Sequence, residues 1–412
     1  MSTGECNSQP GPTHQTGIMN FPKPICFRVW EAAEKKTTID GESSNNFKFS
    51  VLSYNVLAQY LLEGHPYLYT NCSPTNLNWT VRSVRIFDEI ISLSPDIICL
   101  QEVQATHLQS FYSKLEYMGY CGIFKEKSDD KIDGCAIYFK QSHFKMQDCF
   151  SVEFYQPELP ILDRGNIGIM VKLVPNNVPT SPIVVATTHL LFNPKRMDVR
   201  LAQIRVLLAE IDRFAFYKEG NVAGHLPIIL TGDFNSTPDS AVVHLLDKGH
   251  VDASLLQAEN SDWQRIGITD SCQHLSVFLD RQEGRLTDFS SVMIQNSDYR
   301  CSIVGATASC TATNAILSTS HSKLFNSNMM YHNLQLISAY DKVKPDGSIE
   351  ASTFQNKWVT VDYIYFSHCS KLKLLERLRL PTVEECKVLE VLPNEVYGSD
   401  HLALAATFEL QL

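Results

Sequence analysis

Eight polar residues in this chain are of the kinds that handle a phosphate and a hard cation: Asn55, Glu102, His189, Asp233, Asn235, Asp362, Asp400 and His401. Hydrolysis of a phosphate ester needs charge neutralised on the phosphoryl oxygens and a water activated for attack. Magnesium takes oxygen ligands, commonly one or two carboxylates completed by water and substrate phosphate. Glu102 can supply such a carboxylate and Asn55 an amide beside it. Asp233 can accept a proton from water, and Asn235, two residues on, lies on the same side of an extended chain. His189 and His401 suit donors to a phosphoryl oxygen, and Asp362 suits a carboxylate that keeps an imidazole charged. Singly, each has an ordinary reading: Asn55 a turn residue, Glu102 a helix-start carboxylate, His189 a core histidine, Asp233-Phe-Asn235 a turn that caps the next helix. Their shared placement is harder to ascribe to chance.

That placement is set by the elements around them. Asn55, Glu102, His189 and the pair Asp233/Asn235 each stand at the carboxyl end of an apolar run that reads as a strand. Asp362 lies within another such run, and Asp400/His401 opens the last. Ends of strands in an α/β domain are where side chains converge on a crevice. From Phe47 the pattern alternates strands with helices. Strands are expected at Phe47–Tyr54, Asp96–Glu102, Cys135–Lys140, Phe144–Phe154, Asn166–Val174, Ile183–Leu191, Leu226–Thr231, Val359–Ser367 and Ala403–Leu412. Helices are expected at Trp79–Leu93, with Val84, Phe87, Ile90 and Ile91 on one face, at His107–Met118, and at Asp198–Phe216. Residues 1–45 read as a flexible lead-in, with the Phe21–Ala32 stretch a candidate to pack on the domain. Residues 46–412 read as one catalytic domain, with a variable insertion at about 254–333 where the pattern weakens into Ser, Thr, Asn, Gln and Asp.

The bulk properties narrow the function classes. With 412 residues, 44% hydrophobic and 19% charged, the chain has the apolar material for a large core. A net charge of -10 argues against a broad cationic face for duplex nucleic acid, yet suits a site of metal-binding carboxylates. The 12 cysteines are scattered with no Cys-x-x-Cys pair, as for reduced cysteine in the cytoplasm or nucleus. No apolar run has the length to span a bilayer, so no membrane role is expected. No Gly-x-x-x-x-Gly-Lys loop is present.

Six ordered motifs then carry a resemblance: Ser53-Tyr-Asn-Val-Leu57, Leu100-Gln-Glu-Val103, Thr188-His-Leu190, Gly232-Asp-Phe-Asn235, Val361-Asp-Tyr-Ile364 and Ser399-Asp-His-Leu402. In this order the chain resembles the endonuclease/exonuclease/phosphatase superfamily. Leu162-Asp-Arg-Gly-Asn-Ile-Gly168, His189-Leu-Leu-Phe-Asn-Pro194 and Leu392-Pro-Asn-Glu395 make it similar to the nocturnin-type deadenylase branch, and most of all to the Angel proteins. The resemblance implies an α/β four-layer sandwich, two packed mixed β-sheets flanked by helices. It implies Glu102 and Asn55 at a magnesium ion, with manganese as the alternative, and Asp400 nearby. Asp233 and Asn235 position water and phosphate, Asp362 and His401 form a coupled pair, and His189 lies near the phosphate. Asn166 is a candidate for phosphate contact; Phe192 and Asn193 for base or ribose; Lys195 and Arg196 for steering an RNA backbone. For Arg200 and Arg205, steering and a solvated helix face are equal readings. The Angel activity is removal of 2′,3′-cyclic phosphate from RNA 3′ ends, acting as a monomer on RNA. The alternatives are a 3′-to-5′ poly(A) exoribonuclease and a catalytically silent RNA or protein adaptor. Val361-Asp-Tyr-Ile364 replaces the Trp-Cys-Asp-Arg run of inositol polyphosphate phosphatases, Asn166 the tyrosine of abasic-site endonucleases, and no leucine-rich adaptor is visible.

Overall fold

The computed structural model describes residues 28–33, 46–254, 264–284, 307–308, 322–325 and 328–411. Fourteen strands build two seven-stranded mixed sheets. They are β1 (Trp30–Ala32), β2 (Phe47–Asn55), β3 (Ile97–Gln104), β4 (Tyr120–Glu126), β5 (Asp133–Lys140), β6 (Phe144–Glu153) and β7 (Ile167–Pro175). Then follow β8 (Ile183–His189), β9 (Ile228–Asp233), β10 (Thr307–Ala308), β11 (Leu336–Ser338), β12 (Asp362–Ser367), β13 (Leu372–Leu378) and β14 (Leu404–Leu410). The first sheet runs β1-β13-β14-β2-β3-β5-β4 and the second β10-β6-β7-β8-β9-β12-β11.

The central strands are apolar on both sides because both faces are covered. Along β3, Ile97 and Cys99 join the core between the sheets, with Val51, Ile137, Ile169, Val185, Ile229 and Ile364. Ile98 and Leu100, one residue out of phase, pack with Leu52, Ile86, Ile90 and Phe111 on the outer face. A matching layer of Leu201, Ile204, Leu208 and Ile211 covers Met170, Val184, Ala186 and Leu230 of the second sheet. The four layers are those expected from the motifs.

Four helices matter to the site: α1 (Gln59–Gly64), α2 (Trp79–Leu93), α3 (Met197–Ala215) and α4 (Ala241–Lys248). Helix α2 has the bounds expected from its pattern. Of its expected face, Ile90 is buried and Phe87 and Ile91 pack beside it, but Val84 is 55% exposed, and Arg82 and Ile86 complete the buried stripe. Helix α3 is buried almost all round, which corrects the reading of Arg200 and Arg205. Neither lies on a solvated face nor can either steer RNA. Arg205 donates to the carbonyls of Ile268 and Thr269 at 3.0 Å each, because residues 264–284 fold over the outer side of α3. Asp212 on α3 receives His225, Gln273 and Arg281, and Glu210 receives His274 and Arg213. The described part of the expected insertion therefore seals the helix. The stretch expected as a helix at 107–118 is helical, and its turns pass from 3-10 (Ala105–His107) through π (Leu108–Tyr112) to α (Ser113–Tyr117). Within the lead-in, β1 pairs with β13, and Arg28 donates to Arg379 O at 2.9 Å; Phe21–Phe27 lies outside the described residues. Among the described residues, no helix is long and apolar enough to cross a membrane.

Candidate active site

Strand register brings the residues together. In the second sheet Asp233 faces His189 across the parallel β8–β9 pair and Asp362 across the antiparallel β9–β12 pair. In the first, Asn55 pairs with Gln101 at the same end of the sandwich. The short approach of β8 to β9 needs Gly232. Its φ is +148°, and a Cβ there would stand 2.1 Å from Thr188 O.

Glu102 does not end its strand, as its motif suggested, but sits on a bulge within it. Between the pairs Leu100↔Ala136 and Val103↔Gly134, two residues of β3 oppose one of β5. Glu102 has φ +58°, a left-handed conformation uncommon for a side chain of this size. The bulge turns its carboxylate toward the second sheet. Asn235 (φ +47°) and Leu57 (φ +51°) are held in the same left-handed region.

Asn55 links the two sheets. Its amide nitrogen donates to Glu102 Oε1 and to Asp233 Oδ2, both at 3.0 Å, while its oxygen accepts from the Leu57 N–H at 3.0 Å. The Ala58 N–H donates to Glu102 Oε2 at 2.9 Å. Asn55 thus turns its nitrogen to the carboxylates and clamps them together. Asp233 Oδ1 accepts from the Asn235 N–H at 2.8 Å. Burial, then the charge of Asp362, pushes its carboxyl up to about 7, against the lowering influence of His401.

The two histidines differ in charge. His401 Nδ1 donates to Asp362 Oδ2 at 2.8 Å, and its Nε2 lies 3.7 Å from Asp233 Oδ2 and 3.9 Å from Asp400 Oδ1. Burial alone would lower its basicity, but Asp362, Asp400 and Asp233 together raise it well above the ordinary value. The three carboxylates thus favour its charged form. His189 is pushed the other way, by burial and then by Lys127 and His401. Its tautomer follows from Asn235, whose amide nitrogen donates to Leu190 O at 2.9 Å, so that the same group faces His189 Nε2 at 2.9 Å. Nε2 must accept, and the proton sits on Nδ1, which is buried with no hydrogen-bond partner.

The donor set suits a hard divalent cation on the Glu102 side. Burial, then the charges of Asp133 and Asp400, push the Glu102 carboxyl up, so anionic oxygens crowd there. Asp233, Asp362 and His401 also come within 4.8 Å of one another, a second group that could hold an ion.

The sequence of the Endonuclease/Exonuclease/phosphatase family matches residues 52–401. "Protein angel homolog 2" of Bos taurus is 36% identical, over all of this chain and 79% of its own length.

The chain belongs to the endonuclease/exonuclease/phosphatase family, in its Angel branch.

The crystal structure of ANGEL2, a 2′,3′-cyclic phosphatase, in complex with adenosine-2′,3′-vanadate matches with a TM-score of 0.73 at 33% identity, covering 93% of this chain and 99% of that one. The human Nocturnin catalytic domain with bound sulfate matches at 0.54 and 21% identity, over 94% and 98%, and shares the fold. Family motifs could not reveal the supports that lie between them. Arg82, fully buried, donates to Gly398 O at 2.7 Å, to Val56 O at 3.0 Å and to Leu57 O at 2.6 Å, tying the turn after Asn55 to the one before His401. Tyr69 donates to Asp400 at 2.9 Å, Ser399 to Asn55 O at 2.6 Å, and Ser352 to Asp362 at 2.6 Å. Lys127 and Asp133 form a buried ion pair at 2.6 Å beside Glu102, with the Tyr60 hydroxyl on Asp133.

The residues expected to touch substrate fall into two groups. Asn166 is buried; it donates to His189 O at 2.9 Å and accepts from Gln203 at 3.1 Å, so its amide serves the protein rather than the open side of the site. Arg196 is paired with Asp198 at 2.9 Å, and the Asn193 oxygen closes a turn on the Lys195 N–H at 3.0 Å. The Phe192 and Lys195 side chains are exposed on the turn that follows His189.

Proposed function

We propose that this chain is a magnesium-dependent phosphoesterase that removes 2′,3′-cyclic phosphate from RNA 3′ ends and leaves a free 2′,3′-diol. The observation that carries this reading is the join between the sheets: one amide, Asn55, holds the Glu102 and Asp233 carboxylates together beside His189 and His401. The activity named for ANGEL2, and the adenosine vanadate bound to it, support the substrate class. Residues 46–412 act as one catalytic domain, and the segment of about 254–333 is an insertion in it.

Two hydrolyses are required. In the first, a water oxygen bonds to phosphorus and one ribose O–P bond breaks; in the second, the same happens at the monoester, releasing inorganic phosphate. Asp233, with a pKa near neutrality, takes the proton from the attacking water. The leaving ribose oxygen takes a proton from solvent. Glu102, with Asp400 beside it, would hold the magnesium ion, which supplies charge neutralisation to the phosphoryl oxygens. His401, hydrogen-bonded to Asp362, adds to that neutralisation.

The test offers the purified chain, with magnesium, matched oligoribonucleotides ending in cyclic phosphate, in linear phosphate or in an adenosine tail. Release of inorganic phosphate from the cyclic end, with the chain length unchanged, is expected. Stepwise release of nucleoside monophosphates with the cyclic end intact would make it a poly(A) exoribonuclease instead.

A further inference from the structure

The turn after His189 presents a large aromatic side chain to solvent on a backbone with little freedom to move. Phe192 is 53% exposed, only three residues from a ring inside the site. Its backbone is fixed residue by residue from buried side chains. Asn166 donates to His189 O at 2.9 Å, Asn235 to Leu190 O at 2.9 Å, and the Leu191 N–H donates to Gln203 Oε1 at 3.0 Å. The Arg200 guanidinium then reaches the carbonyls of Leu191 at 3.3 Å, Asn193 at 2.6 Å and Pro194 at 3.4 Å, on both sides of Phe192. Arg200 itself is 4% exposed and Gln203 fully buried. Burying an arginine is costly unless its donors are used. Here the two terminal nitrogens are spent on holding a surface turn, which no packing requirement of the Phe192 ring explains, since the ring is about half in water.

We propose that Phe192 is the stacking platform for a nucleobase of the RNA 3′ end, and that Arg200 and Gln203 are positioning residues that hold it. This deepens the reading of the site as one for RNA ends and rests on it. A base offers a π-face to an aromatic ring whatever its sequence, and such stacking tolerates all four bases. A fixed platform loses little entropy on binding, which is the physical use of clamping the turn. Phe192 lies on the turn that directly follows the His189 strand, so a base resting on it is held beside the end of the sheet where the histidine stands. Lys195, exposed on the same turn, offers a cation to the phosphodiester backbone.

The test is a specificity ratio: kcat/KM for an oligoribonucleotide 2′,3′-cyclic phosphate divided by that for base-free ribose 2′,3′-cyclic phosphate. Phe192→Ala is expected to lower this ratio about tenfold, through KM for the oligonucleotide. Phe192→Trp is expected to restore it, and Arg200→Lys to lower it while a thermal melt shows a folded protein. An unchanged ratio in Phe192→Ala, or no rescue by Trp, would overturn the proposal. If the wild-type chain hydrolyses neither compound, it is the assignment of activity that fails. Anisotropy of the labelled oligonucleotide then tests Phe192 alone, with about tenfold weaker binding expected for Phe192→Ala and equal binding overturning it.

Discussion

Asp233 and Glu102 are bridged by one amide, so each must keep a carboxylate oxygen for Asn55 and another for chemistry. Glu102→Gln retains the size and one acceptor but removes the charge a cation needs; Asp233→Asn removes the proton acceptor. Both are expected to lower kcat/KM for phosphate release about 10³-fold or more in a protein that still folds: relief of a buried charge is offset by the N–H donor that the new amide nitrogen must face. Phosphate assay and calorimetry on the same preparations check this pair of outcomes. Asp362 acts on substrate only through His401. In Asp362→Asn the hydrogen bond to Nδ1 can persist, but the anion that holds the imidazolium is gone. A loss of about 10²-fold is expected, with Ser352→Ala, which loses a 2.6 Å bond to Asp362 but keeps its charge, losing clearly less. Equal activity of Asp362→Asn and wild type would show that the charge of His401 is not used.

At the level of elements, what could be read in the sequence was residue type and order, and what could not was the turn of the backbone. Strands β2, β7 and β9 and helices α2 and α3 fall close to their expected bounds, because apolar periodicity reports them directly. The Glu102 bulge was invisible, since the count of two residues against one depends on the partner strand β5. On α2 Val84 alone leaves the expected face, and Arg82, a charged residue, lies in the buried stripe, its charge satisfied by carbonyls 25 to more than 300 residues away. Arg200 and Arg205 misled for the same reason: periodicity cannot anticipate that residues 264–284 fold over α3. Gly232 is where local and tertiary demands meet, and its role was hidden inside a motif. Gly232→Ala must adopt φ +148° and place a methyl group 2.1 Å from Thr188 O. The β8–β9 register has to open, which carries His189 away from Asp233. A loss of about 3 kcal/mol or more in unfolding free energy is expected, with activity falling further than stability at temperatures where the variant remains folded. Urea titration with a parallel activity assay separates the two.

For the molecule as a whole, acid stability follows from groups remote from the catalytic end. His332 sits where the chain returns from the 254–333 segment to α4, its Nε2–H donating to Leu245 O at 3.0 Å and its Nδ1 accepting from the Leu334 N–H at 3.2 Å. Burial pushes its pKa down to about 4 against a modest opposing effect of the Leu245 carbonyl. A base with a depressed folded pKa favours folding while neutral. Its contribution is complete above the unfolded value of about 6.5 and is lost as pH falls toward 4, by about 3 kcal/mol at most. Glu210 on α3 titrates lower: although burial works against the charge, His274 and Arg213 hold its carboxyl down at about 2, so its contribution is complete above about 4.5 and lost below. Asp233 works in the opposite sense, because its raised pKa makes folding less favourable as pH rises toward 7. The wild-type curve is therefore a sum, and the difference between variants isolates each part. His332→Gln, which cannot gain a proton, is expected to lower stability at pH 7.5 yet to flatten its fall between pH 6.5 and 4, so that the two proteins converge in acid. Glu210→Gln is expected to leave that window unchanged and to flatten the curve below pH 4.5. Urea midpoints across the range decide it: parallel curves for His332→Gln and wild type would mean that the histidine is as easily protonated in the folded chain as in the unfolded one.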